Sequence, residues 1–361
     1  MRKVFLVGGG TGGHLFPAIS IAQELEGRGF ATCLVTDVRC QRYLPTDLKI
    51  QTIVLNLASM GSGLLQKIKA LFSIAISTIV MLKVFWAERP SLLVAFGGYP
   101  SLPVLIAAMV FRTPIVLHEQ NCFMGKVNKL FCSRAKLIAL NFAKTFNLPE
   151  NSQDKTVVVG NPVREQIKLC NLIKDFAQVP FTILIVGGSQ GAVVFDELVP
   201  SAIKILRTSI STPIKIVQQS AKKNHERIAQ IYKELGIDYE LSDFFKNMPE
   251  LYGQSSLAIC RSGASTIAEL IYLGLPSILV PLPTSAANHQ FYNAKALLEQ
   301  GAAIYFIQKY LTPQILADEI KRFVLNTDAL QDMRNNLLGM RVDSAKIFTD
   351  HIISLLVRNS K

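Results

Sequence analysis

At 361 residues the chain is longer than one hydrophobic core usually supports, about 250 to 300 residues, so two domains are expected. Half of its residues are hydrophobic and only 18% are charged, which excludes a disordered or low-complexity chain. The net charge of +12 is uneven: residues 1–163 hold 17 basic and 8 acidic side chains, whereas 164–361 hold 21 and 18, so the first half needs an anionic partner. Nucleic acid, a phosphorylated ligand and an anionic membrane all meet that need on charge alone.

The six cysteines, Cys33, Cys40, Cys122, Cys132, Cys170 and Cys260, form no CxxC pair, and the first apolar run starts almost at Met1 with no secretory leader before it. A reducing cytoplasm is the expected home.

In chain order, short apolar runs alternate with helical patterns. The first half has KVFLV (3–7), TCLVT (32–36), LLVAF (92–96), IVLHE (115–119) and LIAL (137–140). The second has TILIV (182–186), KIVQQ (215–219), LAIC (257–260), SILV (277–280) and AIYFI (303–307). Strand followed by helix, repeated, predicts an α/β chain with parallel sheets. A polar stretch between VVVGNPV (157–163) and FTILIVGGS (181–189) places the domain boundary near Val163, giving domains 1–163 and 164–340 and a final helix over 341–361. Each half opens with an apolar strand running into glycines, FLVGGGTGGH at 5–14 and ILIVGGSQGA at 183–192, a repeat of architecture only.

Residues 64–86 form the most apolar stretch, but only the 13 residues 70–82 lack a charge, short of the roughly 20 that a spanning helix needs. Two readings remain: a buried core helix, or an interfacial helix on which Lys67, Lys69, Lys83 and Arg89 flank membrane-contacting Ile76, Ile79, Phe85 and Trp86. The basic bias of this half favours the second.

Gly8, Gly10 and Gly13 satisfy GxGxxG between a strand and a helix, and Asp37 ends the next strand, as in a dinucleotide fingerprint. Physically the run marks a ligand site rather than a cofactor, because glycines admit close approach and helix N-terminal amides attract anions. His14 directly after the last glycine, and a second Gly-rich turn in the other half, argue against a nicotinamide or flavin oxidoreductase.

GGGTGGHLFPA (8–18), FGGYPS (96–101), HEQN (118–121), GNPVR (160–164), GGSQGA (187–192) and CRSGASTIAEL (260–270) occur in one order, with NHQ following at 288–290. Together they closely resemble the MurG family, over nearly the whole chain. The resemblance implies a GT-B fold, two Rossmann-like domains facing a cleft. It implies an inverting transfer of N-acetylglucosamine from UDP-N-acetylglucosamine to the muramyl C4 hydroxyl of the lipid-linked pentapeptide, lipid I, giving lipid II for peptidoglycan synthesis and hence cell shape and division. The implied place is the cytoplasmic face of the inner membrane, bound peripherally to its anionic surface, with other cell-wall synthesis proteins as partners and no nucleic acid.

Such a transfer needs a base for the acceptor hydroxyl and a clamp for the departing diphosphate. His14 is the candidate base, since an imidazole titrates near neutrality and this one stands at a strand's cleft end; the other reading is a helix-start histidine that binds acceptor phosphate. Glu119 is a second catalytic candidate, or a partner that orients His14 or a nearby loop. The resemblance puts Thr11, Gly12, Gly13, Asn121, Arg164, Ser189, Gln190, Phe245, Gln290 and the run Ala264, Ser265, Thr266, Ile267, Ala268 and Glu269 around UDP-N-acetylglucosamine. Within it, Glu269 takes the ribose hydroxyls, Gln290 reads the sugar, and Phe245, usually aliphatic in the family, adjoins the uracil. Cys122, Phe123 and Met124 depart from the family's small residue and proline before Gly125, which puts the shape of the acceptor-side loop in question. No DxD-like pair ends a strand, so neither a metal nor any other cofactor is expected. The remaining readings are another UDP-sugar enzyme of this architecture, such as a UDP-N-acetylglucosamine epimerase, or a non-enzymatic membrane adaptor.

Overall fold

The computed structural model describes residues 2–59, 63–170, 175–176, 179–187 and 193–358. The chain divides into two compact units: residues 1–164 together with 342–361, and residues 165–341. Both are α/β, with parallel sheets between helices.

Among the described residues the first unit holds a seven-stranded sheet made of β1 (Lys3–Val7), β2 (Ala31–Asp37), β3 (Gln51–Leu55), β4 (Leu92–Ala95), β5 (Ile115–Glu119), β6 (Leu137–Leu140) and β7 (Thr156–Val158). Its spatial order is β3-β2-β1-β4-β5-β6-β7, with every pairing parallel. Both faces are covered, which is why the central runs are apolar without alternation: β4 and β5 are buried at every position, while edge strand β3 is mostly open. One core layer lies under helices Leu64–Glu88 and Leu102–Val110. The other lies under helix Gly12–Gly27 and the last helix, Ser344–Arg358, whose Phe348 reaches the core.

The second unit holds β8 (Phe181–Val186), β9 (Ile214–Gln219), β10 (Asp238–Ser242), β11 (Leu257–Cys260), β12 (Ser277–Leu279) and β13 (Ile304–Tyr305) in the order β10-β9-β8-β11-β12-β13, again all parallel. In each sheet the strand order reverses direction once, between β1 and β4 and between β8 and β11. Open α/β sheets bind ligands at the carboxyl ends of the strands flanking such a switch point.

Helix Leu64–Glu88 is long and apolar enough to cross a membrane by length and composition. Its buried residues, Ala70, Ile74, Ser77, Met81 and Phe85, recur every three or four positions and so form one stripe facing the sheet. This stripe corrects one expectation. Phe85 is fully buried, edge-on to Phe5 with ring centroids 5.3 Å apart, so it is a core anchor and not a membrane contact. Ile76, Ile79 and Trp86 do lie on the outer side, 48%, 56% and 68% exposed, together with Leu64, Leu65, Ile68, Leu71, Phe72 and Val80. A contiguous apolar face of this kind on one helix marks an interaction surface.

Candidate active site

In the first unit the loops leaving β1 and β4 meet at the switch point. A Cβ added to Gly8 would sit 2.4 Å from the His14 carbonyl oxygen and 2.9 Å from the Ala18 Cβ, so only glycine lets the helix Gly12–Gly27 start this close to the strand. Thr11 is the exposed residue just before that helix, and Gly12 and Gly13 open it with His14 behind them.

Asp37 is buried. Its carboxylate accepts from the Gly10 N–H at 3.1 Å and from the Arg39 Nε at 2.7 Å, with the Arg39 guanidinium 4.7 Å from the Tyr99 ring centroid. It therefore braces the glycine loop and is not available to a ribose in the way a dinucleotide fingerprint requires.

His14 is partly exposed, and its Nδ1 lies 3.1 Å from the Oε1 of Gln120. Gln120 is buried, with its nitrogen 2.9 Å from the Phe96 carbonyl oxygen and 3.0 Å from the His118 Nδ1. His118 in turn reaches the Gly160 carbonyl oxygen through Nε2 at 3.0 Å. Its ring is fully buried, stacked on Phe348 at 5.1 Å and tilted against Phe96 at 5.4 Å, and this burial pulls its pKa down to about 4, leaving it neutral at physiological pH. Three members of HEQN are thus accounted for by position: His118 in the core, Glu119 beside it, and Gln120 on His14.

The contacts of Glu119 alter its expected role. Its carboxylate is 2% exposed and accepts from the Asn121 N–H at 3.1 Å, the Asn121 Nδ2 at 3.3 Å, the Gly125 N–H at 2.9 Å and the Asn128 Nδ2 at 2.9 Å. A carboxylate with four such donors organises the loop 120–125, and it is Gln120 rather than Glu119 that orients His14. Glu119 is therefore corrected from a catalytic candidate to the residue that holds Asn121 and this loop in shape. Of the three departures from the family pattern, Cys122 and Met124 are buried within the same loop and Phe123 is partly buried, with Met124 accepting from the Cys132 Sγ at 3.3 Å. Arg164, the last residue of the first run of this unit, lies with its guanidinium 4.8 Å from the Phe16 ring centroid.

In the second unit, Gly187 follows β8 and donates its N–H to the Gln219 Oε1 at 3.2 Å; Ser189 and Gln190 lie outside the described residues. The other side of the switch point lies within the described residues. β11 runs through Arg261, Ser262 and Gly263 into helix Ala264–Leu273, where Ser265 and Thr266 are half-buried in the first turn and Ala264, Ile267, Ala268 and Glu269 are buried. Gln290, at the start of helix His289–Glu299, is brought to the same place: its carbonyl oxygen accepts from the Ser262 Oγ at 2.8 Å, and its side-chain oxygen accepts from the Leu282 N–H at 3.0 Å. That second bond orients the amide so that its NH2 is the donor end. Phe245 is 6% exposed, which makes it a packing residue whose ring is not open for stacking on a base.

Arg261 is a feature that sequence reading passed over, although it stands inside a quoted motif. Its buried guanidinium donates to the carbonyl oxygens of Val280 at 3.0 Å and Pro281 at 3.3 Å and to the Gln308 Oε1 at 2.8 Å, and it lies 5.1 Å from the Phe195 ring centroid. It ties the loop after β12, which carries Leu282, to the end of β11.

The two halves of the chain match the glycosyltransferase family 28 N-terminal domain over residues 4–140 and the glycosyltransferase family 28 C-terminal domain over residues 182–349. Over 354 aligned residues the chain is 41% identical to the UDP-N-acetylglucosamine--N-acetylmuramyl-(pentapeptide) pyrophosphoryl-undecaprenol N-acetylglucosamine transferase of Rickettsia canadensis (strain McKiel), covering 98% of this chain and 99% of the relative. The chain belongs to glycosyltransferase family 28. The protein of the same name from Rickettsia rickettsii (strain Sheila Smith) is 39% identical over 376 residues, at the same coverage of both chains. The crystal structure of Acinetobacter baumannii MurG superposes with a TM-score of 0.77 at 27% identity, covering 99% of this chain and all 100% of that one. Family 28 membership, with two Rossmann-like parallel-sheet units in the GT-B manner, makes the chain a glycosyltransferase and removes the oxidoreductase reading. The buried Asp37 had already weakened that reading on physical grounds.

Proposed function

We propose that this chain transfers N-acetylglucosamine from UDP-N-acetylglucosamine, with inversion, to the muramyl C4 hydroxyl of undecaprenyl-pyrophosphoryl-N-acetylmuramyl-pentapeptide, giving lipid II. The observation that carries the reading is the match over 98% of the chain, across both units, to relatives whose names give this donor sugar and this lipid-linked acceptor. The geometry is compatible with the following chemistry. His14 takes the proton of the acceptor hydroxyl as its oxygen attacks the anomeric carbon, and the bond to the diphosphate breaks with its electron pair leaving on UDP. The start of helix Ala264–Leu273 offers amides and hydroxyls to the diphosphate, Glu269 takes the ribose hydroxyls, and the Gln290 NH2 reads the sugar hydroxyls. Thr11, Gly12, Gly13, Asn121, Arg164, Ser189 and Gln190 complete the donor contacts, and Phe245 adjoins the uracil through its backbone. No metal is required in this scheme, since the N-terminus of helix Ala264–Leu273 carries the anion.

The outer face of helix Leu64–Glu88, with Ile76, Ile79 and Trp86 and the flanking Lys67, Lys69, Lys83 and Arg89, holds the first unit on the anionic cytoplasmic surface of the inner membrane, where the lipid-linked acceptor resides. Apolar side chains enter the headgroup boundary while the basic ones pair with acidic lipids. Peptidoglycan synthesis by this route links the chain to cell shape and division and to other proteins of wall synthesis.

Donor binding gives a direct test. UDP-N-acetylglucosamine at about 100 times its Kd is expected to stabilise the protein by about 2.7 kcal/mol and to raise its melting temperature by several degrees, with no shift from NADH. A shift with NADH alone would contradict the proposal.

A further inference from the structure

The hydrogen bonds behind His14 assign protons without reference to the reaction. Gln120 places its side-chain nitrogen 2.9 Å from the Phe96 carbonyl oxygen and 3.3 Å from the His118 carbonyl oxygen. Carbonyl oxygens only accept, so the NH2 end must face them, and the opposite amide orientation would set oxygen against oxygen. The Gly160 carbonyl oxygen likewise obliges His118 to carry its proton on Nε2, which leaves Nδ1 as an acceptor for the Gln120 NH2 at 3.0 Å. Burial between Phe96 and Phe348 keeps this ring neutral, so it has no second proton with which to oppose the amide. One group remains to be assigned: the Gln120 Oε1, an acceptor only, lies 3.1 Å from the His14 Nδ1.

We infer that Gln120 and His118 are positioning residues that hold the His14 imidazole in its Nδ1–H form, leaving the Nε2 lone pair to receive the acceptor hydroxyl proton. The chain of donors runs from the His14 Nδ1–H to the Gln120 oxygen, from the Gln120 NH2 to the His118 Nδ1, and from the His118 Nε2–H to the Gly160 carbonyl. Each polar group on it has one admissible role, so the tautomer at His14 is set by the Phe96 carbonyl, reached through Gln120, and the Gly160 carbonyl, reached through Gln120 and His118. Next to Nε2 stands Gly98, where an added Cβ would come within 3.2 Å of the His14 Cδ2 and 3.4 Å of Nε2, so a larger residue there would press on the imidazole and crowd that nitrogen. When Nε2 takes the proton, the imidazolium keeps its Nδ1–H bond to the amide oxygen, and neither Gln120 nor His118 has to reorient. Gln120 and His118 touch no substrate in this scheme; they act through His14.

This inference deepens the transferase reading and rests on it only for the use made of the lone pair. The tautomer itself is read without substrate. Long-range nitrogen-15 correlation spectra of the unaltered, histidine-labelled protein at pH 8 are expected to show Nδ1–H for His14 and Nε2–H for His118, with His14→Gln and His118→Phe spectra supplying the assignments. Gln120→Leu removes the acceptor, and is expected to release His14 to mixed tautomers and to lower kcat by on the order of 10- to 100-fold, less than loss of the base itself, with UDP affinity unchanged. Nε2–H at His14 in the unaltered protein overturns the inference whatever the activity, as does a Gln120→Leu protein with unaltered kcat. Nδ1–H at His14 in a protein that transfers no sugar would instead overturn the transferase reading and leave the proton assignment standing.

Discussion

Replacing His14 with alanine is expected to lower kcat for sugar transfer by on the order of 10²- to 10⁴-fold, or about 3 to 5 kcal/mol of transition-state stabilisation, and to leave UDP affinity within about twofold of its starting value. A general base acts on the acceptor proton only as the bond forms, so its loss appears in turnover rather than in donor binding. The substitution is gentle on structure. His14 is partly exposed, its backbone N–H bonds to the Thr11 carbonyl at 3.2 Å whatever the side chain, and alanine favours a helix. The measurement is a steady-state transfer assay beside a UDP titration. Near-normal turnover would remove His14 from the base role, and a loss confined to donor affinity would make it a binding residue.

The double substitution Ile79→Glu with Trp86→Glu is expected to weaken binding to vesicles containing acidic lipid by roughly 100-fold or more, at an unchanged melting temperature. Each side chain is more than half exposed, and full transfer of such a side chain out of water is worth roughly 1.5 to 3 kcal/mol, so two lost insertions amount to about 3 kcal/mol even when transfer is partial. Phe85→Glu, one position from Trp86, is expected to do something different. Its ring is fully buried against Phe5, and an unpaired carboxylate there unfolds or strongly destabilises the first unit. Co-sedimentation and thermal melts separate the two outcomes. Vesicle binding unaffected by the double substitution would place the membrane contact elsewhere on the chain.

The difference between Phe85 and Trp86 shows where sequence reading stopped. Composition and length of residues 64–86 announced an apolar helix with basic flanks, but neighbouring residues on a helix point about 100° apart, and a stretch that is apolar all round carries little information on which side the protein covers. Strands behave similarly. LLVAF, IVLHE and LAIC were legible because both faces are buried and the apolar runs are unbroken. β3 and β10, at sheet edges, are half-open, and DYELS in β10 has no apolar run to notice. The glycine loop and His14 stood out as a motif, and the motif order carried the family. Glu119 drew attention as a carboxylate at a strand end, where chemistry is common, but its role depends on donors from Asn121, Gly125 and Asn128 that only the folded loop brings to it. Gln120 was overlooked for the converse reason: an uncharged amide suggests no chemistry, and its partner His14 is 106 residues away in the chain.

Sugar transfer itself is read by incubating the purified protein with UDP-N-acetylglucosamine labelled in the sugar and a lipid I analogue in detergent, with and without EDTA, and following label into the lipid fraction. Label is expected in a product with one added N-acetylglucosamine, with stoichiometric release of UDP and the same rate in EDTA. Binding of the donor with no label reaching the lipid, or conversion of the free UDP-sugar to an epimer instead, would contradict the proposed transfer.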